Sequence, residues 1–128
     1  MRIIDQDSQP MEEWWPGVTT RMRTSLLTGC RQLCIFDQWS VPGSGAPTHV
    51  HAVEEVIRVV EGMAKVWVDD ETETLKAGQS VIVPAGCRHG FSNCGSERLH
   101  MELTLAAPIF EASYQNKAEM TLRWSDTV

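Results

Sequence analysis

An all-β fold, built as a sandwich or a barrel, is the architecture that this sequence predicts. Short runs rich in β-branched and apolar residues alternate with turn signals between about residues 18 and 105, a pattern typical of many short strands. Helical periodicity is weak throughout. The chain has 128 residues, of which 42% are hydrophobic, which suits one domain with its own core. We expect a single domain over 1–128, with a barrel core at about 18–105, an N-terminal arm at 1–17 and a C-terminal tail at 106–128.

The expected strands follow from apolar runs and from the turns that end them. They are residues 33–36, 55–60, 64–68, 72–75, 81–83 and 99–105. Asp69 and Asp70 join the third run to the fourth, where they suit the tip of a β-hairpin. In the tail, the segment from about Ile109 to Tyr114 is expected to form a turn of helix.

The run at 99–105 alternates strictly, so its two faces differ in chemistry. One face carries Met101, Leu103 and Leu105, and the other carries His100, Glu102 and Thr104. If the polar face lies inside, Glu102 is a candidate general base and His100 a candidate for binding or proton transfer. If it lies outside, both are ordinary polar strand positions. The sequence leaves this choice open.

The charge and the N-terminal segment exclude several functional classes. A net charge of −6 does not suit a grip on nucleic acid or on an anionic membrane, because both attract basic surfaces. No apolar run approaches the roughly 20 residues that a membrane helix needs. Residues 1–17 also lack the apolar core of a signal peptide. We therefore expect a cytoplasmic protein.

The four cysteines are expected to be thiols, since a reducing compartment disfavours disulfides. None of them shows the CxxC spacing of a structural zinc site. Cys87 stands out because it lies two residues before His89.

Two of the five tryptophans, Trp14 and Trp15, stand together before Pro16 and Gly17. An exposed pair of such large apolar rings would be costly. The pair is therefore expected to cover either the barrel or a partner subunit.

Four residues carry the chemistry that the sequence suggests, and they are His49, His51, Glu55 and His89. Alternate residues of a strand point to the same side, so His49, His51 and Glu55 have matching parity. Glu54 has the opposite parity and is the less favoured acid. His89 would approach from a distant strand. Three imidazoles and one carboxylate suit a divalent transition metal such as Fe, Mn, Ni, Co, Cu or Zn.

The residues around these four form two motifs. The first is GSGAPTHVHAVEEVIRVVEG, from Gly43 to Gly62, and the second is GQSVIVPAGCRHGFSN, from Gly78 to Asn93. At both motifs the chain resembles the cupin superfamily, specifically its small single-domain members. Gln79 stands where many cupins carry Asp, a departure that touches no ligand.

The resemblance implies a single jelly-roll β-barrel with the metal inside it. It also implies that His49, His51, Glu55 and His89 are the ligands, and that two chains pair through edge strands into a homodimer. Four protein ligands in an octahedral shell leave two positions open for a substrate.

Three kinds of function fit such a centre. The favoured one is an oxygenase-like enzyme that acts on a small apolar or aromatic chelating substrate. The alternatives are an isomerase or lyase that acts on a sugar or oxo-acid, and a binding or sensing protein without catalysis. The pocket is expected to include Ile57, Val59 and Phe91, which share parity with the ligands. That apolar lining favours a hydrophobic substrate, because a sugar phosphate needs basic side chains. Arg58 is expected to point outward.

Overall fold

Residues 1–125 are described by a computed structural model, and they form an all-β structure with two short 3₁₀ helices at Gln6–Ser8 and Leu26–Thr28. The strands are β1 (Met11–Trp15), β2 (Val18–Thr24), β3 (Cys34–Ser40), β4 (Gly45–Val50), β5 (Glu55–Glu61), β6 (Met63–Val68), β7 (Glu71–Lys76), β8 (Ser80–Val83), β9 (His89–Asn93), β10 (Leu99–Leu105), β11 (Phe110–Tyr114) and β12 (Thr121–Arg123). No helix in this part of the chain is long and apolar enough to cross a membrane.

The strands form two antiparallel six-stranded sheets. The first has the order β1-β2-β3-β10-β5-β8, and the second has the order β12-β11-β4-β9-β6-β7. Sequence neighbours lie in different sheets at several points, so the chain crosses repeatedly between the two layers. The predicted all-β jelly roll is confirmed, and each of the six expected strands is present.

The core lies between the two sheets, and the alternation of β10 shows how it is built. Met101, Leu103 and Leu105 are almost fully buried, whereas His100 and Glu102 are only partly buried on the opposite face. The apolar face therefore packs inward, because burial of those side chains removes the most apolar surface from water. The same rule places Arg58 of β5 at the exposed surface, as its parity predicts.

Aromatic side chains close the gap between edge strands β1 and β12. The ring of Trp14 lies 4.6 Å from that of Phe110 and 5.3 Å from that of Trp124, measured between ring centres. Trp15 contacts Tyr114 edge-on at 4.8 Å. The tryptophan pair thus covers the barrel of its own chain, one of the two placements that the sequence suggested.

The expected turn of helix at 109–114 is wrong, because this segment is strand β11. Phe110, Ala112 and Tyr114 alternate inward, and Tyr114 pairs with His49 of β4. The pairing partner lies far away in sequence, and tertiary pairing overrides weak local preference. The expected tail consequently adds β11 and β12 to the second sheet, and the expected arm adds β1 to the first.

Strands β4 and β9 approach each other closely at Gly45. A Cβ atom at this position would lie 2.0 Å from the carbonyl oxygen of Phe91. Only glycine fits such a contact. The pairing is irregular between Ala46 and His49, and this irregular stretch leads directly into the candidate site.

Candidate metal centre

The four predicted ligands come together between the sheets. His49 lies in β4, His51 just beyond its end, Glu55 at the start of β5 and His89 at the start of β9. All four are buried, and one ligand atom from each lies within 4.8 Å of the others. Glu54 is exposed, so the structure places Glu55 in the cluster, as strand parity predicts.

Two of the imidazoles are oriented by the same local hydrogen bond, from Nδ1 to the carbonyl oxygen two residues earlier. The Nδ1 atom of His49 lies 2.7 Å from the carbonyl oxygen of Pro47, and that of His89 lies 3.0 Å from the carbonyl oxygen of Cys87. Because a carbonyl oxygen only accepts, each Nδ1 carries the proton and donates it. The Nε2 atom of each neutral ring therefore presents a lone pair to the cluster.

His51 is oriented from the other end of the chain. Its Nδ1 donates to the carbonyl oxygen of Glu111 in β11 at 2.5 Å. The Glu111 carboxylate also accepts a hydrogen bond from the Ala52 backbone N–H at 3.2 Å. Strand β11, which the sequence did not predict, therefore fixes one of the three rings.

The electrostatics of the cluster are those of a buried site that contains one carboxylate. A carboxylate oxygen of Glu55 lies 2.9 Å from Nε2 of His89 and 3.5 Å from Nε2 of His51. Burial alone raises the pKa of Glu55, but these two histidines outweigh it and lower that pKa. Burial lowers the pKa of His49 to about 3, with a further contribution from the two neighbouring histidines. Burial opposes protonation of His51 too, yet the Glu55 carboxylate raises its pKa overall.

The donor set fits a metal ion. Within residues 1–125, Nε2 of His51 is buried without a hydrogen-bond partner. With each Nδ1 proton hydrogen-bonded to a carbonyl, three Nε2 atoms and the Glu55 carboxylate face one another. Such a set attracts cations, either protons, which the raised pKa of His51 reflects, or a metal ion. A divalent transition metal satisfies all four acceptors at once, and several metals share this preference.

A narrow cavity adjoins the cluster. Its walls consist of Trp14, Trp15, Phe36, Gln38, Ala46, Ile57, Phe91, Leu103, Phe110 and Tyr114, together with the candidate ligands His49, Glu55 and His89. Its free space is about 20 Å³, which is room for about one water molecule. The walls are therefore largely aromatic and apolar.

The sequence indicated part of this wall. Ile57 and Phe91 line the cavity, whereas Val59 is fully buried but does not belong to the lining. Gln38 and Tyr114 were missed. The alternation of β3 gave a usable signal for Gln38, because Phe36 and Gln38 share one parity. Tyr114 could not be found while its segment was assigned to a helix.

The two catalytic candidates on β10 lie away from the cluster. His100 Nε2 contacts an Asp37 carboxylate oxygen at 2.9 Å, and Arg23 binds both Asp37, at 3.1 Å, and Glu102. These four residues form an ionic network on the outer face of the first sheet. Catalysis by Glu102 or His100 would require the polar face of β10 to lie inside the barrel. The apolar face of β10 fills the core instead, so this condition is not met.

Cys87 contributes to the centre through its backbone. Its carbonyl oxygen orients His89, while its thiol interacts with Asp69, whose carboxylate raises the pKa of Cys87. All four cysteines are free thiols in the structure.

Comparison with known proteins places the chain in a family. A family model described as "Cupin domain" matches residues 40–106, which is more than half of the chain. The chain belongs to the cupin domain family. Two curated relatives of this cupin come from Streptomyces. One is "Polyketide synthase CurC" of Streptomyces cyaneus, 39% identical over 66 residues, which are 51% of this chain and 43% of that protein. The other is "Protein SchB" of Streptomyces halstedii, 29% identical over 110 residues, which are 84% and 80% of the two chains. This cupin therefore spans less than half of the first relative.

Solved structures show the same fold. The polyketide cyclase RemF from Streptomyces resistomycificus superimposes on this cupin with a TM-score of 0.76 at 21% identity, over 93% of this chain and 88% of that one. A formate complex of Lactobacillus farciminis oxalate decarboxylase gives a TM-score of 0.79 at 22% identity, over 86% of this chain and 34% of that one. At these identities the likeness shows the fold alone.

Proposed function

We propose that this cupin is a metal-dependent enzyme that cyclises an aromatic or apolar poly-β-ketone. The observation that carries the proposal is the cavity. A donor set that fits a divalent metal opens directly onto walls made of tryptophan, phenylalanine, tyrosine and aliphatic side chains. Such a site suits a substrate that is apolar along most of its length and offers chelating oxygens at one end.

The charge of the lining opposes the polar alternatives. No Lys or Arg occurs among the described residues that line the cavity, and Glu55 is the acidic side chain there. A sugar phosphate or a free oxo-acid carries negative charge that basic side chains normally bind. The isomerase or lyase alternative is therefore the less favoured one.

The relatives support a polyketone in particular. Two of the proteins that resemble this chain bear names that refer to polyketide synthesis or cyclisation. A poly-β-ketone is a natural chelator, because its 1,3-related carbonyl oxygens can bind one metal together. It also becomes aromatic on cyclisation, which suits aromatic walls.

The chemistry of such a cyclisation needs no oxidant. A carbon next to a carbonyl loses a proton and bonds to the carbon of a distant carbonyl, whose oxygen gains a proton. Loss of one water molecule and enolisation of the ketones that remain in the ring then complete the aromatic ring. A bound metal would supply Lewis-acid polarisation of the chelating oxygens. The apolar walls would hold the chain folded and keep bulk water from it.

Tyr114 is the candidate proton donor of the cavity. Burial raises the pKa of Tyr114 to about 12, so its phenol keeps the proton at Oη at neutral pH. Its ring lies 4.9 Å from the His49 ring, measured between centres. In the proposed reaction the phenol would donate a hydrogen bond to the oxygen on which negative charge develops.

Substrate entry requires the aromatic cover to move. A cavity with free space of about 20 Å³ holds about one water molecule, which is far less than a polyketone. Trp14 and Trp15 lie in β1, an edge strand that pairs only with β2 within residues 1–125. We propose that displacement of this strand or of its side chains opens the site.

An oxygenase remains the second candidate. The observation in its favour is the donor set, because three histidines and one carboxylate also suit iron and leave positions for both substrate and O2. The two reactions differ in what they consume. Cyclisation releases water without O2, whereas oxygenation takes up O2 and adds oxygen atoms to the product.

The experiment compares metal-loaded protein under nitrogen and in air. Metal-depleted protein is reloaded separately with Zn, Mn or Fe(II) and mixed with a synthetic aryl triketone, and the product is measured by mass and ultraviolet absorbance. We expect an aromatic product lighter by one water, formed equally with and without O2. The His51→Ala variant should be inactive, and His100→Ala, on the outer face, should match the unaltered protein.

Other results would redirect or end the proposal. Oxygen uptake with an oxygen-containing product would favour the second candidate. Tight ligand binding without any product, across all three metals, would favour a non-catalytic binding protein.

We also propose that the protein forms a homodimer and works in a reducing compartment. Val56 lies in β5 and Ile82 in the neighbouring edge strand β8. They expose 36% and 63% of their surface on the outside of the first sheet, which suits burial against a second copy. Light scattering of the purified protein would measure the mass directly. The four free thiols suit the cytoplasm.

A further inference from the structure

We infer that Gln38 recognises a hydroxyl group at the end of the substrate remote from the metal cluster. The inference rests on the proposed function, because it assigns a specificity residue to the same cavity. Gln38 lines that cavity and is only 4% exposed. Apart from Tyr114 and the candidate ligands, the rest of the described lining consists of aromatic and aliphatic residues.

A hydrogen bond to Thr20 fixes the nitrogen end of the Gln38 amide. Its Nε2 atom donates to Oγ1 of Thr20 at 3.0 Å, and Thr20 is fully buried. The two residues stand directly opposite each other in the pairing of β2 with β3. A side chain that is packed and bonded in this way has a fixed orientation before any ligand arrives.

The other end of the amide is available. No donor in residues 1–125 makes a hydrogen bond to Oε1 of Gln38. This atom is not among the fully buried polar atoms without a partner, so part of its surface is accessible. Since Gln38 borders the cavity, Oε1 is the acceptor it offers to a ligand. An apolar group placed there would strip the oxygen of hydration without replacement, which costs free energy, whereas a hydroxyl would satisfy it.

Strand register places Gln38 at the opposite end of the cavity from the cluster. Gln38 pairs with Met101 of β10, and Glu55 pairs with Leu105 of the same strand. The four residue steps from Met101 to Leu105 span about 13 Å of strand. Ile57 and Phe36 occupy the row between, both facing the cavity. A substrate chelated near Glu55 therefore extends along apolar walls before it reaches Gln38.

A purely structural role predicts something different. If the Gln38–Thr20 pair served only to join β2 and β3, replacing Gln38 would alter stability and leave the choice among ligands unchanged. A specificity role predicts that ligands with and without a hydroxyl at the remote end are discriminated, and that the discrimination disappears with the amide.

The test uses two aryl 1,3-diketones that differ only at the far end of the aryl group, where one carries a hydroxyl and the other a hydrogen. Their dissociation constants are measured by titration of Co(II)-loaded protein, followed through the visible spectrum of the metal. We expect the unaltered protein to bind the hydroxylated probe about fivefold to tenfold more tightly, the value of one net hydrogen bond.

Three variants give the comparison its controls. Gln38→Met keeps a similar side-chain volume and should bind both probes equally, with unchanged affinity for Co(II). Thr20→Val leaves Gln38 in place but frees its amide, and should reduce the preference. Gln32→Met alters an exposed glutamine two residues before β3 and should retain the full preference.

The outcomes separate this inference from the proposed function. Preference for the hydroxylated probe without any turnover of polyketones would support the role of Gln38 and reject the cyclase. Turnover with equal binding of the two probes would support the cyclase and reject the role of Gln38. An equal preference in the unaltered protein and in Gln38→Met would also overturn the inference, as would failure of the Co(II)-loaded protein to bind either probe.

Discussion

Two clusters of histidine and carboxylate lie on opposite faces of the first sheet, and they differ in how their charges are balanced. On the outer face, Arg23 donates to Asp37 and Glu102, and His100 contacts Asp37, so that donors and carboxylates meet directly. Inside, each Nδ1 proton of the three histidines is bound by a carbonyl, so that three Nε2 atoms and the Glu55 carboxylate face one another, with Nε2 of His89 at 2.9 Å from Glu55.

This difference separates a structural network from a binding site. The outer network is complete within its own residues and is partly exposed, where ion pairs contribute little. The inner cluster is buried and leaves Nε2 of His51 without a partner in the described chain. A metal ion should therefore raise the free energy of unfolding through the inner cluster and not through the outer network.

The largest expected effect is that of the metal itself. Loading the metal-depleted protein at about a thousand times the dissociation constant should stabilise it by about 4 kcal/mol, because the ion binds the folded state alone. For a chain of this size the midpoint of thermal unfolding should rise by more than about 10 °C. Calorimetry with and without a chelator measures the shift. An unchanged midpoint with each of the six metals considered would remove the inner cluster from the class of metal sites.

Next in size is the loss of one imidazole. His51→Ala should weaken metal binding by more than about 100-fold, since even the loss of a group that orients a ligand costs about 10- to 100-fold. His100→Ala is the matched control, because it removes a histidine from the outer network and should leave metal affinity unchanged. Competition titration against a chromophoric chelator gives both values. Equal losses in the two variants would contradict the distinction between the clusters.

A smaller effect is expected when the outer network loses its central acid. Asp37 is only 7% exposed, and its carboxylate accepts hydrogen bonds from both Arg23 and His100. Asp37→Asn should lower the free energy of unfolding by about 1–2 kcal/mol, discounted because Arg23 is partly exposed and keeps Glu102 as a partner. Denaturant unfolding measures the loss, and metal content should stay the same. A metal-free variant would show that the two clusters are coupled.

The smallest effect is expected at Glu102. Glu102→Gln removes one ion pair with Arg23 and should cost less than about 1 kcal/mol, with metal affinity and kcat retained. A stability curve and steady-state rates with an aryl triketone test both statements. A large fall in kcat at unchanged stability would return Glu102 to the role of general base that the sequence left open for it.

The centre was largely predictable because its signals are local. Strand parity and motif spacing place His49, His51 and Glu55 on one face, and burial in the structure agrees. Strands β5, β6, β7, β8 and β10 were equally accessible, since alternation and turn residues mark them, whereas the bounds of β9 were not predicted.

The remainder depends on contacts between distant parts of the chain. Phe110 to Tyr114 looks ambiguous alone and becomes a strand only by pairing with β4. The carbonyl of Glu111 orients a ring 60 residues away, and Thr20 fixes Gln38 across two strands. Nothing in the local pattern specifies these partners, because each depends on the register of the assembled sheets.

The carbonyl oxygens of Pro47, Cys87 and Glu111 hold the imidazole rings, and every amino acid carries a carbonyl. Side-chain replacements around the centre therefore leave the orientation of the rings intact so long as the backbone keeps its path. The walls of the cavity, by contrast, are formed by side chains. A barrel organised in this way can change what it accepts while retaining its ion, which makes it a practical scaffold for engineering new substrates.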